Sequence, residues 1–550
     1  MLSHHSITFY TLKGLAVSPG GADQTPPMGY NTYNAAWCTI NQTFIRDTMQ
    51  AFHDRGFLSA GYDIFGLDCG WQGMERQANG SITYDSSVFP DGIKPLSELA
   101  IDLGFQWGMY TDQGVYACDT GPKRPGSLYY EEQDAKQFAG WNVAHLKVDN
   151  CYVEANGGAP KDASDDFISR FSRISTAIHS VGIEGLLICQ WGVPQIMPSG
   201  KLIGPAQWTP GLSSSFRISD DVTTSWKSVL RIMNQAININ LRGLTGPGHW
   251  ADMDLLEVGN GMTEAEQQSH FAIWAMFKSP LMVSTDVIRM SAGTEGILLN
   301  KGLIAVNQDE MGMPAVLVQR FSNDYDLFAG PLMHGDIAVL LLDHTDTTRE
   351  LGLDFSALDI ASADVENLWT GESKQGATSY STTVQGHGSV PLRLSKVSRK
   401  TPASPHLEYY EAEHGTFSGR TAAVSCSGCS RGQRIGYIGG GLNNTLTISN
   451  IRTSQAEQDV LFDYVNCELA FLSPDIGHGN VRGASISVNG GAAQKVLFPL
   501  SGYDWDVDVA KGFKVRLGGF KTTETNSIVI DGLWSVSPFA PDIDRIGVLV

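Results

Sequence analysis

The chain reads as an α/β protein built from a (β/α)8 TIM barrel, then an antiparallel β domain, then a C-terminal β-sandwich, and three observations predict this. From Thr25 to about Asp309, short apolar runs that end in polar residues alternate with helical stretches, the rhythm of repeated βα units. Past Asp309 the helical period fades and short alternating segments with Gly and Asn turns take over. No Gly-x-Gly-x-x-Gly follows a first strand, so the competing open doubly wound sheet lacks its nucleotide-binding signature. The stretch 25–309 is close to the roughly 250 residues usual for a barrel.

Taken in order, the candidate barrel strands are GYDIFGLD (61–68), GFQWGMYTD (104–112), VAHLKVDN (143–150), GLLICQW (185–191) and SSFRISDD (214–221), each carrying its polar residues at the C-terminal end. Amphipathic helices are expected at 134–141 and 167–180, and a capping box from Thr263 to Glu266 opens one running through Phe277. Residues 310–397 form the antiparallel domain, with strands in DIAVLLLDHT (336–345) and SVPLRLSKV (389–397). The segment SRKTPASP (398–405) supplies Pro and Ser for a linker. Residues 406–550 then read as strand and turn throughout, a sandwich-type module.

Hydrophobic residues make up 42% of the 550 positions and charged residues 17%, enough apolar surface for large cores and too little charge for a disordered polymer. A formal net charge of -20 disfavours nucleic acid and anionic membrane as partners, because like charges repel. No apolar run approaches the roughly 20 residues needed to cross a bilayer. The opening residues 1–21 lack a clean apolar leader, so secretion is inferred instead from sequons at Asn41, Asn79 and Asn443 and from cysteines beside strand ends.

Barrel active sites lie where strands end, and several ends here converge on carboxylates. Asp68 closes GLDCGW, Asp112 closes WGMYTD, Lys147 and Asp149 sit in LKVDNC, Arg217 and Asp221 in FRISDD, and Asp252 and Asp254 in GHWADMD. Two carboxylates flanking a sugar are what glycoside hydrolysis requires, one to attack the anomeric carbon and one to protonate the leaving oxygen. Lys147 lies two residues before Asp149 on the same strand face, where its charge favours an ionised nucleophile. Asp221 as acid must rest protonated, which calls for a poorly solvated setting or a negative neighbour such as Asp220. Tyr30, Tyr33, Trp71, Tyr110, Trp191 and Trp250 lie at or just past strand ends, where rings stack on sugar C–H faces or simply fill the core.

The segments TPPMGYNTYN, DCGW, LKVDNC, ICQWG, Arg217–Asp221, GHWADMD and AVNQDEMG together make residues 25–397 resemble glycoside hydrolase family 27, the α-galactosidases and α-N-acetylgalactosaminidases. The resemblance implies double displacement with retention, Asp149 as nucleophile and Asp221 as acid/base, and no catalytic cofactor. It assigns Tyr33, Asp68, Tyr110, Lys147, Cys189, Trp191, Arg217 and Asp254 to the sugar subsite, and pairs Cys38 with Cys69 and Cys118 with Cys151. Cys426 and Cys429 are then left to close a local loop, with Cys467 unpaired.

Family members commonly carry two adjacent Asp residues before Cys-Trp, where this chain has Leu67 and Asp68. The missing carboxylate keeps β-L-arabinopyranosidase activity as an alternative to α-galactosidase, ahead of α-N-acetylgalactosaminidase and isomaltose-releasing activities. A lectin-like binder is the non-enzymatic alternative, disfavoured because binding has no use for a proton donor facing a nucleophile. The segments YEAEHGTFSG, GYIGGGLNNT, SVNGG and PDIDRIGV make residues 406–550 resemble carbohydrate-binding module family 35. That resemblance implies an oligo- or polysaccharide partner and a structural Ca²⁺ on Glu411, Glu413 and Asp544.

Overall fold

A computed structural model of the chain describes residues 23–119, 121–153, 167–321, 324–400, 407–441, 443–469 and 479–550. The opening stretch read for a leader lies outside the described residues, as do residues 401–406 of the expected linker. The described chain falls into two compact bodies, one running to Ser225 and resuming at Gly243–Pro314, the other made of Trp226–Arg242 and Ala315–Val550.

The first body is the expected barrel. Its eight strands are β1 (Met28–Asn31), β2 (Ile64–Leu67), β3 (Gln106–Asp112), β4 (Val143–Asp149), β5 (Gly185–Ile188), β6 (Ser215–Arg217), β7 (Trp250–Asp252) and β8 (Leu281–Val283). All neighbours pair in parallel in the order β8-β1-β2-β3-β4-β5-β6-β7. Leu256, just past β7, bridges Val283 of β8 in parallel and closes the ring. Strands such as Ile64–Leu67 are buried on both faces, which is why they read as unbroken apolar runs.

Several strands are shorter than the sequence predicts, for local reasons. Gly61 takes a left-handed φ of 102° to end a 3-10 turn, so β2 begins at Ile64 rather than at 61. After Ile188 the chain turns through Trp191 at φ 61°, which ends β5 and frees residues 189–191 for the barrel mouth. The helices keep their predicted places at Glu131–Gly140, Phe167–Ser180 and Glu264–Met276. Thr263 and Glu266 exchange the two hydrogen bonds of the expected capping box. In the helix Gln42–Asp54 the buried side chains are Ile45, Thr48, Met49 and Phe52, one helical face at spacings of three and four. Close approach demands glycine at Gly114, where an added Cβ would lie 1.7 Å from the Cys151 carbonyl oxygen.

In the second body one twelve-stranded sheet runs from the antiparallel strands into the C-terminal module, joined where Arg320 pairs in parallel with Val515. The strand Ser389–Arg399 extends past the expected boundary at 397, so Ser398 and Arg399 belong to it rather than to a linker. A five-stranded sheet provides the other layer of the module. Arg320 fastens this body from within. Its Nε and Nη2 donate to Asp326 at 2.7 Å each, Nη2 also reaches the Asn234 side chain, and Nη1 reaches the Leu497 carbonyl. Burial would push Asp326 up, but Arg320 and His344, the latter at 2.9 Å, hold it well below the usual carboxylate range.

Removing Asp326 leaves a buried guanidinium unpaired, which costs about 3–5 kcal/mol. Asp326→Ala is therefore expected to lower the urea midpoint of the full chain markedly. Lys396→Ala, which breaks an exposed pair with Asp364, is expected to leave it unmoved.

Candidate active site

Parallel register decides which side chains meet at the barrel mouth. Tyr110 on β3 stands beside Lys147 on β4, and Asp112 beside Asp149. Because strand side chains alternate, Lys147 and Asp149 share a face. The Lys147 ammonium lies 5.4 Å from the Tyr110 ring centroid and 5.6 Å from that of Tyr33. Its hydrogen bond, however, goes to Asp68 Oδ2 at 2.9 Å, not to Asp149. Asn31, the polar end of β1, donates to the same oxygen at 2.8 Å.

Asp149 is held by two donors at Oδ1, the Trp191 indole N–H at 2.8 Å and the Asn150 backbone N–H at 2.9 Å. It is only 7% exposed, and burial pushes its carboxyl up to about 6 although Lys147 and Arg217 pull it down. Arg217, buried at the end of β6, divides its guanidinium between two carboxylates: Nη1 meets Asp254 Oδ1 at 2.9 Å and Nη2 meets Asp221 Oδ1 at 3.0 Å. Nη1 also lies 3.4 Å from Cys189 Sγ, a buried thiol that burial pushes far up and therefore keeps protonated. Asp254 accepts the Val222 N–H at 2.7 Å and holds a left-handed φ of 80°. A strained non-glycine residue of this kind persists where its surroundings fix it, and such residues gather at functional sites.

These groups enclose one hollow of about 90 Å³, lined by Tyr33, Asp68, Tyr110, Lys147, Asp149, Trp191, Arg217, Asp221 and Asp254. Of the ten residues that the resemblance assigns to catalysis and the sugar subsite, all line it except Cys189, which reaches it through Arg217. Both predicted disulfides form, Cys38–Cys69 and Cys118–Cys151, and the second lies in the wall. Cys426 and Cys429 are also bridged, leaving Cys189 and Cys467 free.

Other expectations are corrected. Asp221 is the solvated member of the pair, its side chain 65% exposed and paired with Arg217 rather than secluded. Of the aromatic residues read at strand ends, Tyr30, Trp71 and Trp250 take the core-filling alternative and do not line the hollow. Asp252 lines a second cavity of about 40 Å³ in the barrel interior, where burial pushes it up to about 6. Sequence reasoning passed over Asn31 and Asn34, although both sit in the TPPMGYNTYN segment, Asn31 as the polar end of β1 and Asn34 in the short helix Tyr33–Ala36 just beyond it.

Among the described residues, the one group of three or more His, Cys, Asp or Glu whose ligand atoms all lie within 4.8 Å of one another is Asp112, Cys118 and Cys151. Two of these are spent on a disulfide. Glu411, Glu413 and Asp544 form no such set. Glu411 and Asp544 instead share the Ser430 hydroxyl, while Glu413 Oε2 is buried with no hydrogen-bond partner.

Carboxylates from separate strands around one polar hollow with aromatic walls, at the mouth of a (β/α)8 barrel, are the arrangement that glycoside hydrolysis requires. Residues 26–309 match the family described as alpha galactosidase A, and residues 322–394 match the alpha galactosidase C-terminal beta sandwich domain. A probable alpha-galactosidase D of Aspergillus niger is 37% identical over 386 residues, 68% of this chain and 57% of that protein. The Aspergillus fumigatus protein of the same description is 31% identical over 580 residues, 88% of this chain and 87% of that protein. The crystal structure of alpha-galactosidase I from Mortierella vinacea superposes with a TM-score of 0.63 at 30% identity, over 70% of this chain and 100% of that one. The chain belongs to the α-galactosidase family.

The raised Asp149 carboxyl fixes a sign. Folded protein binds the Asp149 proton more tightly than unfolded chain does, so ionisation above the unfolded value near 4 costs stability, on the order of 3 kcal/mol once pH passes about 6. Asp149→Asn is expected to melt near the parent temperature at pH 4 and above it at pH 7. A variant that is no more stable at pH 7 would contradict the burial argument.

Proposed function

We propose that the chain hydrolyses terminal, non-reducing α-D-galactosyl residues of galactosides or galactomannan, with retention, by double displacement. The observation that carries this reading is the pair Asp149 and Asp221 lining one hollow. Asp149 Oδ2 attacks the anomeric carbon while Asp221 donates its proton to the leaving oxygen, giving a covalent glycosyl ester and a free hydroxyl. Asp221, now a base, removes a proton from water, which displaces Asp149 and restores both groups.

Trp191 and the Asn150 N–H grip the other nucleophile oxygen and so aim Oδ2. Arg217 keeps Asp221 in reach of the site. A sugar entering the hollow covers Asp221 and strips its water, which raises its proton affinity at the moment it must act as acid. Asp68 and Lys147, already bonded to each other, offer an acceptor and a donor for ring hydroxyls. Leu67 stands where relatives commonly carry a second Asp, and it favours a second reading in which β-L-arabinopyranosides are also cleaved.

The C-terminal residues act in this reading as a carbohydrate-binding module that raises the local concentration of polymer. Calcium there would have Glu411, Glu413 and Asp544 as ligands. The unpartnered Glu413 oxygen favours it, whereas the Ser430 bridge occupies the other two. An extracellular setting is supported by three barrel and module disulfides and by exposed sequon residues Asn41, Asn79 and Asn443. No described helix is long and apolar enough to cross a membrane.

Nitrophenyl α-galactoside, β-L-arabinopyranoside, α-N-acetylgalactosaminide and α-glucoside form the deciding panel, with the galactoside expected fastest. Asp149→Ala is expected to lose several orders of magnitude on every substrate. Asp221→Ala is expected to lose far less on the nitrophenyl galactoside, whose leaving group needs little protonation, than on an alkyl galactoside. Equal losses on both would refute the acid role, and cleavage of none by the parent chain would leave the lectin reading.

A further inference from the structure

We propose that Trp37, packed on the outer side of the wall residue Tyr33, forms a stacking face at the rim of the hollow for the sugar unit attached to the terminal galactosyl residue, so that the leaving group recognised here is a pyranose. This rests on the galactosidase reading. The hollow accommodates one ring, so the remainder of any oligosaccharide must emerge at the rim on the side of the proton donor.

Tyr33 shares the wall of the hollow with the proton donor Asp221. Its hydroxyl is pushed up to about 12, by burial first and next by the charge of Asp221, ahead of every other neighbour. Trp37 extends the Tyr33 wall outward, with ring centroids 5.6 Å apart and planes tilted by 55°. Trp37 is 66% exposed, so its ring is open to a ligand at the rim.

The backbone around Trp37 is fixed rather than loose. Trp37 holds φ 53° and its N–H bonds the Tyr33 carbonyl at 2.5 Å. The Tyr33 N–H in turn bonds Asn31 Oδ1 at 2.8 Å, and Asn31 bonds Asp68. On its other side Trp37 is followed by Cys38, tied to Cys69 beside the same Asp68. The exposed ring is thus anchored from both directions to the residues that grip the sugar. A flat apolar ring held in place before the ligand arrives is suited to the C–H face of a pyranose.

The test compares two substrates that share the galactosyl group. Melibiose leaves with glucose, whereas α-galactosyl fluoride leaves with an ion that occupies no rim. Trp37→Ala is expected to lower kcat/KM on melibiose about five- to tenfold and to change it less than twofold on the fluoride, with Trp37→Phe restoring most of the loss. Should the Ala variant fail to fold by circular dichroism, Trp37→Leu is read in its place. Equal change on both substrates, or none on either, overturns the proposal. Failure of the parent chain on α-galactosyl fluoride would instead overturn the galactosidase reading.

Discussion

A carboxylate placed in a pocket that water barely reaches must be compensated, and the barrel mouth is arranged around that constraint. Asp149 is buried at the end of β4, where burial alone would keep it neutral. Lys147 and Arg217 supply the opposing charge, yet neither is spent on it: Lys147 is bonded to Asp68, and Arg217 to Asp221 and Asp254. The result is a linked set of charges on four strand ends, with Lys147 bonded to one acid and Arg217 to two. Among the described residues, both donors to Asp149 bind Oδ1, which leaves Oδ2 for attack on carbon.

This set was largely legible in the sequence because the barrel rule converts a one-dimensional pattern into a place. Polar residues that end apolar runs had to gather at one rim, and Asp68, Lys147, Asp149, Arg217 and Asp254 did so. The spacing of Lys147 and Asp149 was legible as a shared face, but the actual partner of Lys147 was not, because Asp68 lies 79 residues away. Contacts of that kind depend on register between strands. The solvation of Asp221 was likewise hidden, since β6 ends at Arg217 and the chain beyond it runs as a loop. Aromatic residues gave the weakest signal: Tyr30 and Tyr33 lie three apart in one segment, yet one is core and the other wall.

The second body shows the opposite balance. Alternating strands were readable one by one, but their assembly into a single twelve-stranded sheet rests on a lone parallel pairing at Arg320 and Val515. The same Arg320 bonds Asp326, Asn234 and Leu497, residues spread over 263 positions of sequence between them. Nothing local in the sequence marks such a residue apart from any other arginine at a strand end.

The central claim is that Asp149 carries the covalent step, and trapping tests it most directly. Incubation with 2-deoxy-2,2-difluoro-α-galactosyl trinitrophenolate or a comparable fluorosugar, followed by proteolysis and mass spectrometry, should show one glycosylated peptide, with the sugar on Asp149. A label on Asp221, or none while the parent chain turns over α-galactosides, would contradict it.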